Sequence, residues 1–280
     1  MRICNLDKRR RDRYNKIVIL WGVIGVLEVR QLDLKDFFKE YKKVAVALSG
    51  GIDSAYLLYA AKAYGAEVSA YFVKSDFVPS FEMKDALYVA EEIGVKTNVL
   101  HTSVFDCDNI TSNGENRCYH CKKRMFKKIL EAAEKDGFKV VVEGTNASDD
   151  ISDRPGFRAI GEMGVLSPLR ICGIGKGEVR CLSEEAGISI WNKPSYSCLA
   201  TRVAKNEKIT EEKLALIETA EKFLFDEGFS DFRVRVHCEN MARLELNVKD
   251  KALFENKRPR ILEELCKYFT SVTFDLEARR

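Results

Sequence analysis

Basic and acidic side chains nearly cancel in this chain: 46 Lys and Arg against 43 Asp and Glu leave a formal charge of +3. So mild a balance supplies no polyanion-binding footprint and makes nucleic acid a poor candidate partner. Missing too is any apolar run of the roughly 20 residues that a membrane-spanning helix requires. The one candidate stretch, Ile17 to Val29, is shorter and is closed by Glu28 and Arg30. It follows the basic Arg9-Arg10-Arg11, but no small-residue cleavage site comes after it, so a signal peptide is incomplete. Residues 1-30 read as an N-terminal extension: an added strand, an oligomer contact or an extended start. No internal repeat or low-complexity linker interrupts the rest. Nine cysteines without a secretory pattern point to a reducing compartment, the cytoplasm, where thiols serve metals, clusters or catalysis more often than disulfides.

What is present begins at Val44-Ala45-Val46-Ala47-Leu48-Ser49-Gly50-Gly51-Ile52-Asp53-Ser54. This is a buried strand emptying into a glycine loop, with an apolar-periodic helix, Ser54 to Tyr64, behind it. Two glycines permit a tight turn without a Cβ to hold an anion away, and the free amides of the loop and the helix N-terminus offer positive partial charge. Ser49 and Ser54 add hydroxyl donors, and Asp53 lies between them and the helix. The loop lacks the Lys-Ser/Thr ending that serves γ-phosphoryl transfer, which disfavours kinase chemistry. It resembles instead the PP-loop of the N-type ATP pyrophosphatases, which implies cleavage of ATP between the α and β phosphates.

From Asp33 onward strands alternate with helical periods: strands near 44–48, 68–73, 97–100 and 140–143, with helices between them. This predicts an α/β fold, a doubly wound, mostly parallel sheet covered on both faces, with ligands at the strands' carboxyl ends. After about Arg202 the pattern changes. A Thr-capped helix over 210–227, strands over 232–236 and 242–248, a helix over 259–268 and a strand over 272–276 read as a small α+β domain. The expected division is residues 31–203 for the nucleotide domain and 204–280 for a substrate-binding or oligomerisation domain.

Cys118-Tyr119-His120-Cys121 opens a basic helix, and helix N-termini and nearby cations favour thiolate. Cys198, close to Arg202, supplies a third thiol. One C-x-x-C pair and one distant cysteine is a weak zinc signal but suits an iron-sulfur cluster with one iron left open. Cys4, Cys107, Cys172, Cys181, Cys238 and Cys266 stand alone, and core packing is the default for them.

Glu143-Gly144-Thr145-Asn146-Ala147-Ser148-Asp149-Asp150, Asp153-Arg154-Pro155-Gly156, Ser167-Pro168-Leu169-Arg170, Trp191-Asn192-Lys193-Pro194 and Cys198-Leu199-Ala200-Thr201-Arg202 follow in order. Together they resemble the ATP-dependent sulfur transferases of nickel-pincer cofactor synthesis, the LarE family, from about Leu34 to the C-terminus. The resemblance implies adenylation of a carboxylate of a pyridinium biscarboxylate mononucleotide and its conversion to a thiocarboxylate. Ser49 to Ser54 would hold the ATP phosphates; Gly144, Thr145 and Asn146 would close over the nucleotide; Asp149 or Asp150 would hold Mg²⁺. Cys198 would either give up its own sulfur or join Cys118 and Cys121 in a [4Fe-4S] centre, the version favoured by a chain with all three. Arg233 and Arg235, two apart on a strand, would grip the substrate phosphate together, with Thr201 beside them. Glu218 and Glu221 share a helical face, where they would either touch metal or stand as surface carboxylates without a role. The family's usual turn after Arg202 is replaced by Ala204-Lys205-Asn206-Glu207. The resemblance also implies a homo-oligomer, while the sulfur donor stays open. The rival reading is a cluster-dependent tRNA thiolase of the same loop class, for which the only basic surface is the Lys122–Lys128 cluster. An amide-forming ligase would have no use for the three cysteines, and a nucleotide sensor would release no pyrophosphate.

Overall fold

The computed structural model describes residues 32–150, 154–237, 240–277 and 279, so the expected extension over 1–30 and its apolar stretch lie outside the described residues. In chain order the elements are α1 (Leu34–Glu40), β1 (Lys43–Leu48), α2 (Ile52–Ala63), β2 (Glu67–Ser75), α3 (Ser80–Ile93), β3 (Thr97–Thr102), α4 (Asp108–Thr111), α5 (Arg117–Lys135) and β4 (Val140–Val142). They continue with α6 (Pro155–Glu162), α7 (Pro168–Ile171), α8 (Lys176–Glu185), α9 (Glu211–Asp226), β5 (Phe232–His237), β6 (Met241–Leu246), α10 (Lys251–Leu265) and β7 (Ser271–Phe274).

The first sheet is parallel throughout, in the order β3-β2-β1-β4. β1 shows why it is wound on both faces. Val44, Val46 and Leu48 join the core formed by α1, α2, α3 and α8, while Ala45 and Ala47 join Phe126, Ile129 and Ala133 of α5 on the other face. A period of two with apolar residues at every position has no solvent-facing side to offer, which is the signature of a central parallel strand. Because β2 and β3 extend one way from β1 and β4 the other, the crevice of the sheet opens at the carboxyl ends of β1 and β4. Ser49-Gly50-Gly51 and Glu143-Gly144-Thr145 leave the strands there.

The second, smaller sheet is ordered β5-β6-β7, with β5 antiparallel and β7 parallel to β6. α9 packs on it through Leu214, Ile217, Ala220 and Leu224, after Thr210 caps its first turn by accepting from the Lys213 amide at 3.3 Å. Phe77, Val104, Ile110 and Leu199 from the earlier part of the chain are buried in the same core. The two sheets are therefore joined through apolar contact, and the segment carrying Cys198 runs through the join. Leu199 is anchored there by its amide, which donates to the Phe77 carbonyl at 2.9 Å.

Three local expectations differ from the structure. α2 starts at Ile52, with Gly51 as its N-cap and Ser54 already in the first turn. α10 runs over 251–265, not 259–268, with Pro259 inside it. Leu253 and Phe254 pack onto the core, and Lys257 donates to the Glu227 carbonyl at 2.8 Å, so tertiary contacts hold a turn that a proline alone would end. Helices α6, α7 and α8 went unread; α6 and α7 each carry a proline in the first turn, where its missing N–H costs nothing.

Candidate active site

The glycine loop is built by its own serines. The Ser54 hydroxyl donates to the Gly51 carbonyl at 3.0 Å and accepts from the Ser49 amide at 3.1 Å, while the Ser49 hydroxyl lies 3.0 Å from it. Gly50 has φ +82°, and a Cβ there would lie 2.5 Å from Glu82 Oε2, so both conformation and space require glycine. Gly144 is required by space alone: a Cβ would lie 2.7 Å from the Ser54 amide nitrogen. The β4 end is thus pressed onto the N-terminus of α2, where unpaired amides collect.

Asp53 is held from two directions, by Asn146 Nδ2 at 3.3 Å and by the Lys176 ammonium at the start of α8. Asn146 is itself fixed by its amide, which donates to Asp149 Oδ2 at 3.0 Å. Buried Glu143 accepts from the Thr145 hydroxyl at 2.8 Å and from Ser167. Asp150 is exposed beside this turn.

Above these residues lies a cavity of about 740 Å³. Ser49, Asp53, Ser54, Gly144 and Thr145 line it together with Cys118, Ser197 and Thr201, and Phe72, Phe126 and Phe157 supply apolar walls. That is the volume class of a small-molecule site with few, placed polar groups.

Cys118 is the second residue of α5, and Cys121 lies one turn further in. Cys118 is exposed; Cys121 and Cys198 are half-buried against the second core. Thiolate was the expected state, and burial works against it at Cys121 and Cys198. Burial pushes the Cys121 thiol up to about 12, and the nearby Cys198 and Cys118 add to the rise. Burial raises Cys198 as well; Arg117 and Arg202 pull the other way but do not prevail. The three free thiols lie within electrostatic reach of one another, and thiolate sulfur is the donor that iron-sulfur clusters use, so the donor set fits such a group by type. Among the described residues no three His, Cys, Asp or Glu already stand in a metal-holding arrangement. Cys266, for which core packing was the default, is exposed.

Arg233 and Arg235 leave the same strand face yet do not converge. Arg233 is buried, donates to the Ser195 carbonyl at 2.8 Å and lies 5.1 Å over the Tyr196 ring; burial brings its pKa down to about 10. Arg235 pairs with Glu245 and donates to the Thr201 carbonyl at 2.5 Å. It lines a different cleft, of about 920 Å³, with Arg117, Arg158, Arg243, Lys205 and Cys118. The two guanidiniums bond different carbonyls of the Cys198 segment, Ser195 for Arg233 and Thr201 for Arg235. Arg202 is wholly buried and bidentate on Glu221, at 2.9 and 3.0 Å, and its remaining nitrogen donates to the Ser197 carbonyl at 2.6 Å. Glu221 also accepts from the Val234 amide at 3.0 Å and from Tyr196. Its oxygens are fully used in holding that segment. Glu218 accepts from the Ser80 amide at 2.9 Å, capping α3.

Phe157 lines the cavity, and Lys176 reaches its Asp53, with no sequence signal for either; Lys122 of the basic cluster and Arg154 of the family motif line the cavity too. Lys176 is 123 positions from Asp53, and a lysine in a helix's first turn carries no sequence signal of its partner. After Arg202 the replaced turn holds Asn206 at φ +66°, and Asn113 Nδ2 donates to the Ala204 carbonyl at 2.8 Å.

Residues 38–147 match the asparagine synthase family. An uncharacterized protein of Synechocystis sp. is 37% identical over 224 residues, 79% of this chain and 82% of that protein. The pyridinium-3,5-bisthiocarboxylic acid mononucleotide synthase of Lactiplantibacillus plantarum is 31% identical over 258 residues, 90% of this chain and 92% of the synthase. A tRNA-specific 2-thiouridylase of Thermotoga petrophila is 28% identical over 231 residues, covering 67% of this chain and 61% of that enzyme. No described helix is long and apolar enough to cross a membrane.

Proposed function

The chain belongs to the LarE family, that of the pyridinium-3,5-bisthiocarboxylic acid mononucleotide synthase, and from that premise we propose that it is an ATP-dependent sulfur transferase acting on a carboxylate of a pyridinium mononucleotide. One observation carries the reading: a single cavity is lined both by Ser49, Asp53 and Ser54 of the glycine loop and by Cys118, with Ser197 and Thr201 from the Cys198 segment. An activated acid formed at the loop would share one cavity with the Cys118 thiol.

The substrate carboxylate oxygen attacks the α-phosphorus of ATP, the bond to the bridging oxygen breaks, and pyrophosphate leaves. The amides of Gly50, Gly51 and α2, with Ser49 and Ser54, bind the departing phosphates. Gly144, Thr145 and Asn146 cover the nucleotide, and Phe72, Phe126 and Phe157 exclude water from the acyl-adenylate. Asp53, Asp149 and Asp150 are the carboxylates for Mg²⁺, which when bound would neutralise phosphate charge. Arg235, with Arg158 and Arg243 in the basic cleft, serves the substrate phosphate, and Thr201 stands at the junction of cleft and cavity. Arg233 acts at one remove, by holding Ser195.

A [4Fe-4S] cluster on Cys118, Cys121 and Cys198 would supply an open iron for exogenous sulfide. Without it, the Cys198 thiol must lose its proton and attack the acyl carbon, releasing AMP; loss of the Cα proton and cleavage of the Cβ–S bond then leave a thiocarboxylate and dehydroalanine. Anaerobic purification with iron and labile-sulfide assay separates the routes. The cluster route predicts iron that falls when Cys118, Cys121 or Cys198 is changed to Ala; iron indifferent to all three overturns it. Loss of one sulfur's mass at Cys198 after turnover marks the sacrificial route. A second reading, tRNA thiolation, draws on the basic cleft at Cys118, and tRNA binding with a steep salt dependence would favour it.

A further inference from the structure

Lys193 belongs to none of the roles above, yet its ammonium sits where three parts of the molecule meet. It donates to the Gly50 carbonyl at 3.1 Å, and it pairs with Glu82 at 3.0 Å and Asp85 at 2.7 Å, both on α3. It also lies 5.6 Å over the Phe81 ring. The Lys193 side chain is 16% exposed and that of Glu82 7%, so this is a buried cation bridging a buried carboxylate to the nucleotide loop. Burial raises the Glu82 carboxyl, with Lys193 as the main opposing influence.

The chain leaving Lys193 reaches Cys198 in five residues, and it is held on the way by α3 through Phe81, by α9 through Glu221 and by β5 through Arg233, which donates to the Ser195 carbonyl. Tyr196 packs edge-on against Phe81 at 4.8 Å and bonds Glu221; the Ser197 carbonyl is taken by Arg202; Leu199 is hung from Phe77. α3 thus touches both, the glycine loop at Gly50 and the Cys198 segment at Tyr196. Lys193 is the residue bonded to loop and helix together.

We infer that Lys193 is a positioning residue that sets the separation between the nucleotide loop and Cys198, so that an activated acyl group formed at one is presented to sulfur at the other. The inference rests on the sulfur-transfer reading. Glycine 50 offers only its carbonyl to this contact, and a lysine gives the compact, multi-donor charge that three oxygens at divergent angles need. A loop that binds phosphate through its amides leaves that carbonyl free for such a bridge.

The test uses the full-length protein bearing Lys193→Met with Glu82→Gln, a pair that avoids stranding a buried carboxylate; Lys193→Arg serves as the charge-retaining control. Hydrogen exchange of the peptide spanning 194–203 is compared with that of α2. The inference expects at least fivefold faster exchange over 194–203, unchanged exchange in α2, and partial return in Lys193→Arg. Acceleration in both regions, or in neither, overturns it. This arm needs no turnover and decides the inference even if the wild-type chain releases no pyrophosphate, the result that sinks the sulfur-transfer reading. With turnover, pyrophosphate release should stay within threefold of wild type while thiocarboxylate formed per pyrophosphate falls at least tenfold; a proportional fall in both would contradict the positioning role.

Discussion

Removing Glu221 probes the join between the two sheets. Its two oxygens receive both arms of the Arg202 fork, the Val234 amide and the Tyr196 hydroxyl, and Arg202 has no solvent exposure to fall back on. Glu221→Leu therefore strands a buried guanidinium, a loss of about 3–5 kcal/mol when one partner of a buried pair is removed. At about 2–4 °C per kcal/mol for a chain of this class, Tm should fall by roughly 6–20 °C. Arg202→Met in the same protein removes the stranded charge and should recover most of that loss, giving a double-mutant coupling of about 2 kcal/mol or more in urea unfolding. The recovered protein should still be defective in sulfur transfer, because the Ser197 carbonyl beside Cys198 has lost its Arg202 donor. If Glu221→Leu costs less than about 1 kcal/mol, the pair does not hold the join, and the reasoning fails.

Gly144→Ala places a methyl 2.7 Å from the Ser54 nitrogen; backbone must yield, at about 1–3 kcal/mol, and ATP affinity measured by calorimetry should fall at least tenfold. Unchanged affinity would refute the close approach of β4 to α2. Cys172, half-buried against the first core, has its thiol pushed up by that burial to about 12. Below pH 9 the thiol is protonated in both folded and unfolded chains; above it the unfolded thiol ionises first, so stability falls with rising pH, by up to about 1.4 kcal/mol per unit until pH 12. Cys172→Ala should flatten that alkaline slope in urea titrations, and an equal slope in the variant would count against the burial argument.

The phosphate loop was legible because its signal is local. A both-faced apolar strand, two glycines and a following helix leave few alternatives, and β1, the loop and α2 form within one residue or two of where the pattern puts them. The doubly wound sheet followed from the alternation, and its crevice from the strand order. What stayed hidden depends on contacts distant in sequence. Nothing near Lys176 announces Asp53, and nothing near Lys193 announces Gly50. Strand parity put Arg233 and Arg235 on one face, but it could not show that they bond different carbonyls of the Cys198 segment and line different clefts. The thiolate expectation weighed the charges next to Cys118 and Cys121, and burial, which only the packed structure supplies, outweighed them for Cys121 and Cys198.

The central claim is that ATP activates an acid by losing pyrophosphate beside the thiols. Incubation with Mg-ATP and the pyridinium biscarboxylate mononucleotide, followed by phosphorus NMR, tests it most directly. AMP and pyrophosphate formed in equal amounts, and only when the carboxylate substrate is present, are the predicted products; ADP and phosphate, or nucleotide turnover indifferent to the substrate, would contradict it.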